Sequence, residues 1–305
     1  MTWTIKNVLE SGAAIDYASG LIGADLNPLP TGIRSWDAAC YETNGAGLAN
    51  WWFTIIGGAS NSGKTQLLQH LMKQAWLSKM SPGLITMEVP LTGIQRSVYS
   101  RISDFQYHDL MPHLFAEDGD ATDKVLHLSN QVKDYAGEGR NLLVAEHDGS
   151  PDLNQILEMC YAMKESGCGV IGLDHLQLIK SPISEIGDRA TEIAEELRRF
   201  AHRERILVLA LSQLNRMASR ERSRKPICQD LWGGTSMESN ANQVCLIDHS
   251  FMRRDMERTH IVRSRLILDK NREGPARVSM DVEANFRTGV WREADPHEEH
   301  LWGDS

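Results

Sequence analysis

No run of about 18 apolar residues occurs in the 305-residue chain, so no membrane-spanning helix is expected. The N-terminus has neither the basic start nor the apolar core of a secretory signal. Cysteine is scarce. Cys40, Cys160, Cys168, Cys228 and Cys245 are scattered, odd in number and without metal-ligand spacing. A disulfide framework and a thiolate metal site are both excluded, and free buried thiols in a cytoplasmic, reducing setting fit instead. A positive charge surplus is missing too, since the formal net charge is −9. Judged by charge alone, the chain is not a general polyanion binder. Its basic residues nonetheless concentrate between 216 and 225 and between 253 and 272, while acidic ones gather at Glu293, Asp295, Glu298, Glu299 and Asp304. Backbone contacts to nucleic acid are local and screened over about 10 Å, so a basic patch on an acidic chain can still make them.

What is present is one strong motif. Residues 57 to 65, Gly-Gly-Ala-Ser-Asn-Ser-Gly-Lys-Thr, match the phosphate-binding loop G-x-x-x-x-G-K-[S/T] with Gly58 and Gly63 as its fixed glycines. The apolar run Trp51 to Ile56 ahead of it suits a buried strand. Apolar groups at helical spacing follow from Gln66 to Trp76. A strand, a glycine-rich turn and a helix N-terminus aim backbone N–H groups at phosphate oxygens. Ala59, Ser60, Asn61, Ser62 and Gln66 complete this loop, Lys64 supplies a compensating charge, and Thr65 offers a hydroxyl to Mg²⁺. Nucleoside triphosphate binding is expected, with Mg²⁺ beside it.

A chain of this length can bury a substantial core as one large α/β domain or two smaller ones. Pro82-Gly83 predicts a turn, Leu84 to Glu88 a strand, and 91 to 103 a helix. Val125, Leu128, Val132 and Tyr135 describe another helix, and Asn141 to Ala145 a strand. A helix from Leu153 to Cys160 is capped by Ser150 or Asp152. Strand 169 to 173 precedes Asp174, and helix 188 to 203 carries Ala190, Ile193, Ala194, Leu197 and Ala201 on one face. The continuous run Ile206 to Leu211 predicts a central strand. Residues 215 to 240 read as mobile loops, 244 to 247 as a strand, and 261 to 282 as further strands with a turn at Glu273-Gly274-Pro275. The pattern predicts one α/β domain with a largely parallel sheet and antiparallel additions near the C-terminus. Residues 1 to 30 form a leader, of which 1 to 20 is an amphipathic segment packing either on a neighbouring subunit or back on its own domain. Residues 31 to 292 form the compact domain and 293 to 305 an acidic tail.

Several polar residues sit where such a domain does chemistry. Asp174, at a strand end, suits the Mg²⁺ side of the site or a helix cap. Glu88, at another strand end, suits a base for the attacking water, a role that spacing alone does not fix. Gln213 either senses the γ-phosphate or simply packs. Arg216, Arg220, Arg222, Arg224 and Lys225 form either a phosphate-tracking ridge or a solvated loop.

These segments together resemble the C-terminal motor domain of the DnaB-like replicative helicases, within the RecA-like P-loop ATPases. The resemblance is carried by Thr31 to Asp37, Thr86 to Pro90, Ile171 to Leu178, Leu211 to Arg216 and Asp269 to Pro275 around the phosphate loop. It implies Glu88 as catalytic base, Asp174 as the Mg²⁺-side carboxylate, and Gln213 as the link to the following loops. It further implies Lys270 and Arg272 as cations reaching a neighbouring subunit's ATP, in a hexameric ring or filament. Single-stranded DNA is the implied partner, through loops 216 to 240, with a separate primase, collar or loader protein as a further one. The sequence departs from the family at three places: His175 stands for a usual tyrosine, Trp232 for a usual arginine, and Thr235 for a usual glycine. Trp232 either stacks on a base or packs, and Gly233-Gly234 offers backbone N–H groups to a phosphate. The expected function is an ATP-dependent helicase or translocase in replication. The alternatives are a RecA-like recombinase or DNA-remodelling ATPase, and an ATP-driven assembly protein without helicase activity. A nucleotide kinase would leave the Gln213 and Lys270/Arg272 segments unexplained.

Overall fold

The computed structural model describes residues 27–103, 110, 121–136, 141–220, 224–254, 261–286 and 288–295. The predicted leader helix 1 to 20, Arg222, and the acidic residues beyond 295 lie outside the described residues. In chain order the elements are α1 (Arg34–Ala38), β1 (Phe53–Gly58), α2 (Lys64–Leu77), β2 (Pro82–Thr86), α3 (Leu91–Ile102), α4 (Ala121–Ala136) and β3 (Leu143–Glu146). Then come α5 (Leu153–Glu165), β4 (Val170–Asp174), α6 (Ile186–Glu204), β5 (Leu207–Gln213), α7 (Arg216–Arg220) and α8 (Thr235–Asn240). Four strands close the chain, β6 (Gln243–Arg254), β7 (Ile261–Asn271), β8 (Val278–Asn285) and β9 (Val290–Glu293).

All nine strands form one sheet in the order β3-β2-β4-β5-β1-β6-β7-β8-β9. The first six run parallel, and β7, β8 and β9 are added antiparallel. The α/β class with antiparallel strands near the C-terminus is therefore as the sequence pattern implied. Every residue of β1 is buried, as a strand covered on both faces requires. Alternation sends Phe53 and Ile55 to one core and Ile56 to the other. The first core packs α5 and α6 on the sheet through Ile156, Ile193, Leu197 and Phe200. The second packs α2 through Leu67, Leu68 and Leu71, together with Trp36 and Trp52. Leu29 is also fully buried, and Ala294 nearly so, at the two ends of the described domain.

Local expectations fail where a neighbour decides. Pro82-Gly83 is the start of β2, not a turn. Proline is tolerated at a strand's first residue, and a Cβ on Gly83 would lie 2.6 Å from Met163 Sδ, so glycine there lets α5 approach. Asp152, not Ser150, caps α5, in a capping box with Gln155. Residues 261 to 271 form one continuous strand, and the short β9 had no clear period of its own.

Gly47 shows how tightly the opening segment is held. Its φ is +118°, and a Cβ would fall 2.0 Å from the Leu29 carbonyl oxygen, where Leu29 and Leu48 exchange two backbone bonds of 2.8 Å. Gly47→Ala is expected to destabilise the domain by about 2–3 kcal/mol. A lowered urea midpoint, read from the buried Trp36 and Trp52, checks this.

Candidate active site

The phosphate loop joins the C-terminal end of β1 to the N-terminus of α2. Its glycines are fixed by space. A Cβ on Gly58 would sit 2.5 Å from Ser62 Oγ, and Gly63 has φ +91° with Trp291 3.0 Å away. Asn61 is also left-handed, at φ +60°. The first N–H groups of α2 have no intrahelical partner and face this turn. Ser62 Oγ is buried with no hydrogen-bond partner in the structure. Lys64 is buried, and its Nζ donates to the Ala59 carbonyl at 2.7 Å. Burial pushes its pKa down to about 8, against the pull of Asp174 and Glu88.

The strand order places three carboxyl-terminal strand ends beside this loop. Asp174 ends β4, is 2% exposed, and accepts through Oδ2 from Thr65 Oγ1 at 2.9 Å. Burial raises its pKa to about 6; the Thr65 bond and Lys64 oppose that rise, and the Glu88 charge adds to it. Glu88 lies two residues beyond β2, where the Met87 N–H donates to the Asp174 carbonyl at 3.0 Å. Its side chain is 58% exposed, with Oε2 3.5 Å from His175 Nδ1. Gln213 is the last residue of β5, and its amide nitrogen lies 3.1 Å from His175 Nε2. Lys64, Thr65, Glu88, Asp174 and Gln213 thus share one cluster.

His175 is a member that sequence reasoning missed. It bridges Glu88 and Gln213, yet it entered only as a departure from a usual tyrosine. The available signal was a ring nitrogen donor directly after the strand-end Asp174.

Gln213 also leads out of the site. Its carbonyl accepts from Trp232 N–H at 2.9 Å, and Asn215 N–H donates to the Asp230 carbonyl at 2.7 Å. Residues 224 to 240 are therefore built against β5 and include a 3₁₀ turn and α8, where loops alone were expected. Arg224 is a bidentate partner of Asp230, at 2.6 and 2.7 Å. Trp232 is half-buried against the core, with the Arg189 guanidinium 5.3 Å over its ring. Gly233 is needed for packing, because a Cβ would meet that of Ala190 at 2.2 Å. The Gly234 N–H already donates to Leu231 at 2.8 Å. Asn215, Arg216, Met217, Ala218, Arg224 and Asp230 line a cleft of about 340 Å³, at whose rim Met217 is 84% exposed.

Lys270 and Arg272 lie elsewhere. Asn271 pairs with Gln243, and Gln243 with Thr54, which sets them at the end of the sheet opposite the phosphate loop. Four steps along the strand lead from Thr54 to Gly58, a rise of about 13 Å. Lys270 Nζ donates to the Glu238 carbonyl and to that of Ser239 at 3.3 Å, and Arg272 donates to Ser239 at 3.0 Å. Both cations thus rest on the last carbonyls of α8. Burial, and then the Arg272 charge, hold Lys270 below its usual range.

Residues 29–292 match the family described as the DnaB-like helicase C terminal domain. A "Probable plasmid replicative DNA helicase" of Chlamydia psittaci is 27% identical over 280 residues, covering 90% of this chain and 56% of that protein. The chain spans about half the length of the curated relatives it matches. Its fold is shared with a solved structure of an isolated ATPase domain, at TM-score 0.75 and 18% identity over 96% of this chain and all of that one. A second, "The Structure Of A DnaB-Like Replicative Helicase And Its Interactions With Primase", matches at TM-score 0.73 and 17% identity, over 95% and 69%.

Proposed function

The chain belongs to the family of DnaB-like helicase C-terminal domains, and from that premise we propose that it is an ATP-driven helicase motor that moves on single-stranded DNA. One observation carries the mechanism. Lys64, Thr65, Glu88 and Asp174 converge at one end of the sheet, while Lys270 and Arg272 stand at the other end of the same sheet. A cation at that distance serves a site on another copy, as in a heterologous ring or filament. The phosphate loop holds the triphosphate, with the Lys64 charge against its oxygens. Glu88, exposed to solvent, takes a proton from the attacking water at a carboxylate oxygen. Arg272 and Lys270 of the next subunit stabilise the transferring phosphoryl group. Gln213 transmits the state of the site through Trp232 and Asp230 to the 224–240 segment.

The residues present fit Mg²⁺. Thr65 and Asp174 offer hard oxygen donors, and Asp174 is a buried carboxylate whose charge burial disfavours, so a cation there meets an unmet need. Bound Mg²⁺ supplies charge neutralisation to the phosphates. The whole-domain match favours a helicase motor over a recombinase or an assembly protein. A primase or a loader protein is a further partner in this reading. No helix among the described residues is long and apolar enough to cross a membrane.

Single-stranded DNA is expected to stimulate ATP turnover, with an affinity that falls steeply with salt. Arg216, exposed beside the cleft, is a phosphate contact in this reading. Arg216→Ala should lower the slope of log affinity against log salt by about 0.7. Unstimulated turnover with salt-independent binding would remove the DNA role and leave the assembly protein.

A further inference from the structure

Among the described residues, one group of side chains, sharing only Asp174 with the Mg²⁺ pair, has the composition of a metal site. We propose that Glu88, Asp174 and His175 form a binding site for a borderline divalent cation such as Zn²⁺ or Co²⁺, separate in chemistry from the Mg²⁺ that accompanies ATP. One donor atom from each residue lies within 4.8 Å of the other two. His175 Nδ1 is 3.5 Å from Glu88 Oε2 and 4.0 Å from Asp174 Oδ1. A tetrahedral ion with bonds of about 2.0–2.1 Å holds its donors about 3.4 Å apart. The Glu88–His175 separation already fits this, and the 4.0 Å between His175 and Asp174 needs a further closure of about 0.6 Å between those two side chains.

The ring itself points to a ligand. His175 is 6% exposed, and its Nδ1 is buried without a hydrogen-bond partner. A buried, unpartnered nitrogen facing two carboxylates is a costly arrangement that a cation completes. The other ring nitrogen faces the Gln213 amide at 3.1 Å. As placed, the Gln213 amide nitrogen donates to Nε2 and Nδ1 carries the ring proton toward the carboxylates; ligation at Nδ1 moves that proton to Nε2 and turns the Gln213 amide oxygen to accept it.

The two oxygens of Asp174 divide the work. Oδ2 accepts from Thr65, on the phosphate-loop side, and Oδ1 faces His175. Mg²⁺ prefers an all-oxygen shell, whereas one imidazole and two carboxylates suit Zn²⁺ or Co²⁺. The cysteines offer no rival site, since none of them belongs to a metal-sized cluster of donors among the described residues. The consequence for turnover rests on the role proposed for Glu88. An ion ligated by its carboxylate removes the base, so Zn²⁺ inhibits hydrolysis in excess Mg²⁺.

The test is a Co²⁺ titration of the metal-free, nucleotide-free full chain, followed by visible absorption and equilibrium dialysis. One Co²⁺ per chain with a visible band, displaced by Zn²⁺, is expected. His175→Tyr keeps an aromatic ring, removes the imidazole and should abolish the band. Glu88→Gln should weaken binding by about tenfold or more. Glu88 is exposed, so its variant remains a test even where His175→Tyr fails to fold. No saturable binding, or a band unchanged in both variants, overturns the site. Co²⁺ bound through His175 in a protein that hydrolyses no ATP would uphold the metal site and remove the catalytic reading of Glu88. In assays with Mg²⁺ and ATP in excess, micromolar Zn²⁺ should suppress the parent's rate at least tenfold. It should change the His175→Tyr rate less than twofold, each compared with its own zinc-free rate.

Discussion

Arg272→Ala is expected to lose ATP turnover by about a thousandfold while still binding nucleotide. An equal mixture of it with Lys64→Ala protein, each inactive alone, should regain about one quarter of the parental rate. The quarter follows from counting interfaces in a closed ring. An active interface needs a sound phosphate loop on one side, which only the Arg272→Ala chain has. It also needs a sound cation on the other side, which only the Lys64→Ala chain has. With random assembly about half of the interfaces meet each condition, and about one quarter meet both. Arg272 acting in its own chain would give no recovery at any mixing ratio. The sheet register makes that outcome unexpected, since Asn271 is level with Thr54 and the phosphate loop begins at the other end of β1.

The hold of α8 on these cations bears on the same experiment. Arg272 donates to Ser239 through one nitrogen, and a guanidinium has five N–H donors, so the remaining ones can meet a phosphate. α8 follows directly on the segment tied to Gln213. One stretch of chain, 228 to 240, therefore touches Gln213 and the two cations proposed to serve the next subunit. Size-exclusion chromatography should accompany the mixing, because recovery depends on exchange between rings. Normal turnover by monomeric Arg272→Ala would end the trans-acting assignment.

The sequence revealed most of what repeats and little of what meets. The run Ile206 to Leu211, the helical spacing in α6 and the phosphate loop are local patterns, and each reappears at its expected place. Glu88, Asp174 and Gln213 were legible as strand-end polar residues because parallel strands bring such ends to one edge. Their common partner was not legible, because the contacts of His175 come from two strands distant in the chain. The 224–240 segment failed for a related reason. Its Arg, Ser and Gly content resembles a solvated loop, but the Arg224–Asp230 pair and the close approach of Gly233 to Ala190 give it order that composition does not encode. Pro82-Gly83 was misread because only the facing Met163 explains why a glycine starts a strand there.

Asp174→Asn is expected to abolish Mg²⁺-dependent hydrolysis and, at pH 7.5, to stabilise the nucleotide-free protein by about 1–3 kcal/mol. Burial raises the folded-state pKa of Asp174 from 3.8 to about 6. A carboxyl raised in this way favours the folded state fully below its unfolded pKa and loses that contribution as pH rises through about 6. At pH 7.5 the parent therefore keeps a charge that burial disfavours, and asparagine removes it. The same change takes a counter-charge from Lys64, whose folded pKa of about 8 lies below its ordinary 10.5. That group is stabilising above its unfolded pKa and loses the contribution as pH falls through about 8, so its isolation subtracts from the gain. Urea midpoints at pH 7.5 and pH 5 separate the effects, since the advantage of the variant should narrow on acidification. Added Mg²⁺ and ADP should reverse the ranking, because they stabilise only the protein that binds them. A variant less stable than the parent at pH 7.5 would mean that Asp174 is held by its Thr65 bond rather than strained by burial. The site would then hold a carboxylate already satisfied by its hydrogen bond, not one that burial keeps ready for a cation.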